Sequence, residues 1–417
     1  MLTAFTHRRS TIPTPGRLQL TKKKKDPYID TESILQKNLG LIHSFIRYSK
    51  RVFQSFLLNH TYLSPLTFHP LRSNAMAVIL ITGATGLIGF RVLVGALKAG
   101  HTVRYTARSQ EKAAVVVSNP AVQKLSLNKD RLSPVIIPDL TVDGAFDAAL
   151  EGVTHVIHAG SPVAYPTYDP ITEVFQPTLK ISEGLLASAL KTPSVKRVVI
   201  TSSIVCNLPL GPPSPTPVSV SASSRIPLPD PIPSTFDNVF EAYVFGKIIE
   251  LHNSDQFIKT HNPHFTISRV MPGYIFGRNE LALDTAMMET QNSSNSLLMM
   301  AMKGGGPPFP LYDSFAHIDD VADLHLRVAF LDPETTGPKD FGIAIKVDFG
   351  TIFDHVEKHF PDAVAKGIFT KGKITPLPID YDSTDAEKLL GRKFKTFETA
   401  VVDVASQYLE KVGDKSV

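Results

Sequence analysis

From residue 76 onward, short runs of β-branched and apolar residues alternate with longer stretches whose apolar positions recur at helical spacing. The runs at 78–82, 102–106, 135–137, 155–158, 198–201 and 265–270 predict strands. The segments between them, 91–99 and 178–190 for example, predict helices. Several runs are apolar almost without interruption, as burial on both faces of a sheet requires. The alternation predicts an α/β fold: a Rossmann-type, doubly wound parallel sheet over 76–270. A smaller, mainly substrate-binding part follows over 271–417, with some segments returning to the sheet. No internal repeat is visible.

Residues 1–75 break the pattern and carry 12 Lys/Arg against 3 Asp/Glu, which leaves 31 against 36 for residues 76–417. The net charge of +4 therefore belongs to a basic extension. The body shows no basic footprint for nucleic acid. With 43% apolar and 20% charged residues the chain has globular composition, and no apolar run is long enough to span a bilayer. A single cysteine, Cys206, excludes an internal disulfide and fits a reducing, cytoplasmic compartment. The extension reads as a poorly ordered appendage or an upstream start, since Met76 directly precedes the first strand. Two other readings stay open. Residues 1–20 have presequence-like composition, with Arg8, Arg9 and Arg17 and no acid, although Pro13, Pro15 and Gly16 would interrupt a helix and weaken the mitochondrial reading. Residues 41–58 have the pattern of a basic amphipathic helix for a membrane surface or a partner.

Candidate chemistry begins at Gly83-Ala84-Thr85-Gly86-Leu87-Ile88-Gly89, a G-x-x-G-x-x-G array placed after a strand and before a helix. Glycines there allow a tight turn and close backbone approach to a pyrophosphate. The N–H groups and the positive end of the helix then meet its charge. The array is weak alone, but the strand and helix around it supply the context that makes it a dinucleotide site. About 20 residues on, an NAD site places a carboxylate against the ribose. This chain has Arg108, with Lys112 four residues later, so NADP(H) is expected over NAD(H): a guanidinium can grip a 2′-phosphate with several donors.

Ser202-Ser203 close the fifth predicted strand, and Tyr243-Val244-Phe245-Gly246-Lys247 follows, placing Tyr243 and Lys247 on one helix face. An ammonium beside the phenol would lower its pKa and make Tyr243 an acid/base near neutral pH. Ser203 would hydrogen-bond a substrate carbonyl oxygen. Between them, 208–233 holds nine prolines and few helix or strand signals; a loop that long beside a site reads as a lid or as an inert insertion. Met287, Met288, Met299, Met300 and Met302 read as a lining for a bulky or aromatic carbonyl compound or as core filling.

Together these residues resemble the extended short-chain dehydrogenase/reductase family. The branch resembled is that of dihydroflavonol reductases, cinnamoyl-CoA reductases and yeast methylglyoxal (aldehyde) reductases with their fungal relatives. The resemblance runs over nearly all of 77–410. It includes ITGATGLIG, Arg108/Lys112, Pro138-Asp139-Leu140, HAGSP at 158–162, SVKRVVITSS, YVFGK, MPGYIFG at 271–277, AHIDDVA at 316–322, and EKLLG with Phe394. It implies adenine contacts from Asp139 and Leu140, Ala159 to Ser161 running under the cofactor, and Pro272 and Ile275 beside the nicotinamide. It also implies Lys247 on the nicotinamide ribose, Tyr243 as proton donor to a ketone or aldehyde, and a monomer or homodimer that needs no metal. His317, Asp319 and Asp320 are expected to be structural.

Three departures stand out: Gly246 for a serine, Met271 before Pro-Gly, and Cys206-Asn207 where sugar-nucleotide enzymes have Tyr-Gly. The last speaks against a nucleotide-sugar epimerase or dehydratase, and Arg108 speaks against a nucleotide-sugar or sterol-type epimerase/dehydrogenase using NAD+. The intact Ser203, Tyr243 and Lys247 set speaks against a non-catalytic dinucleotide-binding regulator.

Overall fold

The computed structural model describes residues 76–210, 216–291, 293–332 and 339–413. The readings of 1–75 lie outside the described residues. Seven strands form the main sheet: β1 (Val78–Thr82), β2 (Thr102–Ala107), β3 (Leu132–Ile136), β4 (His155–His158), β5 (Arg197–Thr201), β6 (Thr266–Pro272) and β7 (Phe341–Ile343). Their order is β7-β6-β5-β4-β1-β2-β3, every pair parallel. The chain runs outward from β1 to β3, then restarts on the other side at β4. The topological switch therefore falls between β1 and β4, where such sheets open a ligand crevice at their carboxyl ends.

Burial explains the composition of the strands. β5, Arg-Val-Val-Ile-Thr, is buried at every position, because helices cover both faces. On one face, α1 (Leu87–Lys98) contributes Phe90, Leu93 and Leu97 to a cluster with Leu324 and Val328. On the other, Phe146 and Leu150 pack with Leu185 and Leu186 of α2 (Gln176–Leu190). Beside α2 runs α3 (Val239–His261), whose start is fixed locally. Asn238 accepts from the N–H groups of Phe240 and Glu241, both at 3.0 Å, and Glu241 accepts in return from the N–H of Asp237 at 2.6 Å. This reciprocal cap sets where Tyr243 and Lys247 emerge.

Later segments are woven into the sheet and around it. β7, three residues long, was not among the predicted strands; it borders β6 and contains Gly342. A Cβ there would stand 2.3 Å from the Tyr381 hydroxyl, so the glycine makes room for that ring. A separate three-stranded sheet joins Tyr274–Phe276, Ser314–His317 and Ile345–Lys346. Met288, Met299 and Met302 are buried with Phe369 and Tyr408, so they fill the core of this part; Met300 is exposed.

The stretch 208–233 corrects its loop reading. Val218–Ser221 is a strand paired in parallel with Ile379–Asp382. Sequence signals missed it because its partner lies far along the chain and prolines flank it. Just beyond, Arg225 donates to Asp255 at 2.8 Å and to Asp340 at 2.6 Å, and Arg269 shares both carboxylates. That anchoring weighs against one lid hinged across the whole stretch.

His317, Asp319 and Asp320 are spent on structure. The buried His317 accepts the Asp319 N–H at 3.1 Å through Nδ1, so Nε2 carries the proton and faces Asp403 at 3.1 Å. Asp319 pairs with Arg91 and Lys395, and Asp320 with Arg392.

Candidate active site

At the carboxyl edge of β1, Gly83 has φ +71°, and a Cβ on it would meet the Ala159 carbonyl oxygen at 2.4 Å. A Cβ on Gly89 would stand 2.3 Å from the Gly83 oxygen. Both glycines are therefore required by the protein's own packing. Gly86 differs: it is exposed and its Cβ direction is nearly open. Beyond it, α1 starts with no side-chain cap and no acidic residue in its first turn. Thr85, Leu87 and Ile88 are half-buried around this end. The result is a glycine-lined helix terminus with its positive end open to an anion.

The remaining predicted residues sit along the same edge. Arg108 and Lys112 follow β2, both exposed, and neither side chain joins an ion pair among the described residues. The Ser109 hydroxyl accepts from the Lys112 N–H, which starts the next helix beside them. Past β3, Asp139 accepts from the N–H and hydroxyl of Thr141 at 2.8 and 2.6 Å, while Leu140 packs on the core. Those hydrogen bonds hold the Asp139 carboxyl below its usual range. After β4, Gly160 donates to Thr82 Oγ1, and the buried Ser161 hydroxyl has no partner among the described residues. Pro272 closes β6, with Ile275 buried next to it; the Ser314 hydroxyl, close to Gly273, is likewise buried and unpartnered. Orphaned hydroxyls beside an open glycine turn fit a polar dinucleotide along this edge.

Ser203 and Tyr243 do meet. Ser203 is buried, caps the turn Ile204–Asn207 by accepting from the Val205 N–H, and lies close enough to the Tyr243 phenol to lower its pKa. Burial pushes the Tyr243 pKa up, while Lys247 and Ser203 pull it down, and the net direction is upward. Lys247 acts in the expected direction, but burial outweighs the ammonium, so Tyr243 holds its proton in place of being lowered toward neutral pH. Lys247 is buried too and donates to Thr201 O at 3.3 Å and to Glu250 Oε2 at 2.8 Å. The lysine is held well protonated, with the Glu250 carboxylate overcoming the cost of burial.

Sequence reasoning missed Glu250 and the supporting residues. His158 accepts or donates at Thr82 Oγ1, 2.7 Å away, and burial with the nearby Lys247 pushes it down to about 3, so it stays neutral. Asn207, fully buried, donates to Ser224 O and accepts from the Tyr381 hydroxyl, both at 2.8 Å, tying the turn after Ser203 to the 208–233 stretch and to Ile379–Asp382. Cys206 donates to Lys247 O, and burial pushes its thiol up to about 11, which leaves it unreactive. An i+3 acid after Tyr-x-x-x-Lys was the available signal for Glu250. On the open side, Phe240 stacks with Tyr243 and with Phe309, and both phenylalanine rings are exposed. Tyr243 thus faces an apolar, aromatic approach.

Known proteins share the family and fold of this chain. The profile described as the NAD dependent epimerase/dehydratase family matches residues 79–231. Ketoreductase CTB6 of Cercospora nicotianae is 35% identical over 351 residues, covering 81% of this chain and 96% of the relative. NAD-dependent epimerase/dehydratase ALT6 of Alternaria alternata is 34% identical, covering 77% and 95%. Among solved structures, yeast methylglyoxal/isovaleraldehyde reductase Gre2 complexed with NADPH superposes with a TM-score of 0.67 at 24% identity, covering 81% of this chain and 99% of that one. That last likeness bears on the fold.

Proposed function

The chain belongs to the NAD-dependent epimerase/dehydratase family, the extended branch of the short-chain dehydrogenases/reductases, and from that premise we propose that it is an NADPH-dependent reductase converting a ketone or aldehyde to the alcohol. The carrying observation is the Ser203–Tyr243–Lys247 cluster, with a phenol kept protonated at the carboxyl edge of the sheet. As an oxidoreductase of this family it uses a nicotinamide dinucleotide. Gly83, Thr85, Gly86, Leu87, Ile88 and Gly89 would cradle the pyrophosphate, and Asp139, Leu140, Ala159, Ser161, Pro272 and Ile275 would line its path.

When bound, the reduced nicotinamide supplies hydride to the carbonyl carbon. The protein's part is the proton. Ser203 holds the carbonyl oxygen against Tyr243, Tyr243 donates its proton to that oxygen, and water restores it. Lys247 carries the positive charge that stabilises the phenolate left behind. Phe240 and Phe309 would offer the substrate an apolar, aromatic approach to Tyr243. Residues beyond 271 supply the substrate side. An assay of NADPH oxidation over aromatic and aliphatic ketones, aldehydes and dihydroflavonols tests this reading; no turnover with any of them at any pH would reject it.

Arg108 gives the cofactor preference its own test. The exposed guanidinium at the end of β2, which joins no ion pair among the described residues, would meet a 2′-phosphate, and such charge-assisted contacts are worth about 1.5–3 kcal/mol. Arg108→Ala is expected to lower kcat/KM for NADPH by roughly 10- to 100-fold and leave NADH turnover near its starting level. Equal losses with both cofactors would remove Arg108 from the phosphate site.

A further inference from the structure

Glu250 plays no part in the scheme above, yet it is the group closest tied to its lysine. It lies one turn past Lys247 on α3, with its side chain only 2% exposed, and its Oε2 accepts a hydrogen bond from the ammonium at 2.8 Å. Its Oε1 is buried and has no hydrogen-bond partner among the described residues. The ammonium donates a second hydrogen bond to Thr201 O at 3.3 Å, which leaves one of its three protons for the side of Tyr243. A carboxylate this deep is costly unless it is paired, so its charge is committed to Lys247.

We propose that Glu250 is a positioning residue that, by neutralising Lys247, adds to burial in keeping Tyr243 a phenol, setting the centre to give a proton to a carbonyl in preference to taking one from an alcohol. The proposal rests on Tyr243 being the proton donor. An unpaired ammonium in a buried site would favour the phenolate next to it, and a carboxylate three residues on opposes that field.

No other carboxylate faces Lys247 among the described residues, and the other groups that bear on the Tyr243 phenol, Tyr274 and the Cys206 thiol, are held protonated by burial. From β4, His158 faces Lys247 but is neutral, and from the turn after β5 Cys206 is held as a thiol. Ser203 faces Tyr243 uncharged. From α2, the Glu183 carboxylate is exposed and bonded to Asn253 at 2.8 Å. Glu173, on the turn before α2, accepts from the Asp169 N–H at 2.7 Å. On α3 itself, Asp255 is engaged by Arg225 and Arg269. In keeping with this, Glu250 adds to the upward push on both Tyr243 and Lys247.

The test is Glu250→Gln, which keeps the shape and an acceptor for Lys247 and removes the charge. Two readouts are followed: the pH dependence of kcat/KM for NADPH-driven reduction, and the ultraviolet titration of tyrosinate in cofactor-free protein, with Tyr243→Phe as the subtraction. In the variant, the alkaline limb of reduction is expected to move down by about one pH unit or more, and the Tyr243 ionisation to move with it. Glu250→Asp, which keeps the charge, should restore much of the original profile. A folded Glu250→Gln protein whose limb and tyrosinate titration coincide with those of the starting protein overturns the proposal, as does a uniform loss of rate with no shift. The unsubstituted protein is a check by itself: Tyr243 ionising well below the ordinary value of 10.0 would also overturn it. If no carbonyl compound is reduced, the functional reading fails, while the titration still decides the role of Glu250.

Discussion

Tyr243→Phe is expected to lower kcat for carbonyl reduction by roughly 10³-fold while NADPH affinity stays close to that of the unsubstituted protein. The substitution removes one oxygen and keeps the ring that stacks on Phe240 at 6.2 Å, so the fold and the apolar approach persist. What disappears is the proton that Ser203 and Lys247 hold in place. Because burial raises the phenol above its ordinary value, the acid form prevails through neutral pH. Reduction by the unsubstituted enzyme should therefore be flat across that range and fall only in alkali, as the phenol ionises. Steady-state rates and a fluorescence titration of NADPH separate the two effects. A variant that keeps full reductase activity would remove Tyr243 from the chemistry, and one that loses NADPH binding equally would make it a binding residue.

The second large effect is on stability. Gly83→Val places a branched side chain at φ +71°, with its Cβ 2.4 Å from one backbone oxygen and 2.7 Å from the Gly160 Cα. Backbone on two neighbouring strand ends cannot step aside as a side chain would. A cost of about 3–5 kcal/mol is expected, with Tm falling by on the order of 10 °C and NADPH binding lost. Gly246→Ala is the control: its Cβ would meet Thr178 at 3.5 Å, an ordinary contact, in the interior of α3. A gain of up to about 0.5–1 kcal/mol is expected there, because alanine loses less chain entropy in a helix. Thermal melts of both variants decide the matter; a Gly83→Val protein as stable as its parent would mean that the turn differs from the one described.

The two glycines also show what was legible in the chain. Strand β1, the array after it and the first helix are local features, and local periodicity with turn chemistry places them to within a few residues. All six predicted strands are present in the sheet, and Ser203 does meet Tyr243 across 40 positions because both positions follow from the parallel order of strands. The features that escaped depend on distant partners. β7 has only three residues, and Val218–Ser221 is a strand by virtue of Ile379–Asp382. Charge balance escaped for the same reason. The Lys247 ammonium was visible, but how much of its field reaches Tyr243 depends on burial and on Glu250, and neither can be priced from spacing alone. Asn207 was noted as a departure from a related pattern, while its role as a tie between the turn after Ser203 and Tyr381 appears only in three dimensions.

The parallel pairing of Val218–Ser221 with Ile379–Asp382 has a consequence for how the protein is made. Synthesis proceeds from the amino end, so the dinucleotide turn, Ser203, Tyr243 and Lys247 all leave the ribosome before the strand that completes the wall beside them. Contacts so remote in sequence form late and slowly. For much of its synthesis the nascent chain therefore carries these residues without the strand that pairs beside them.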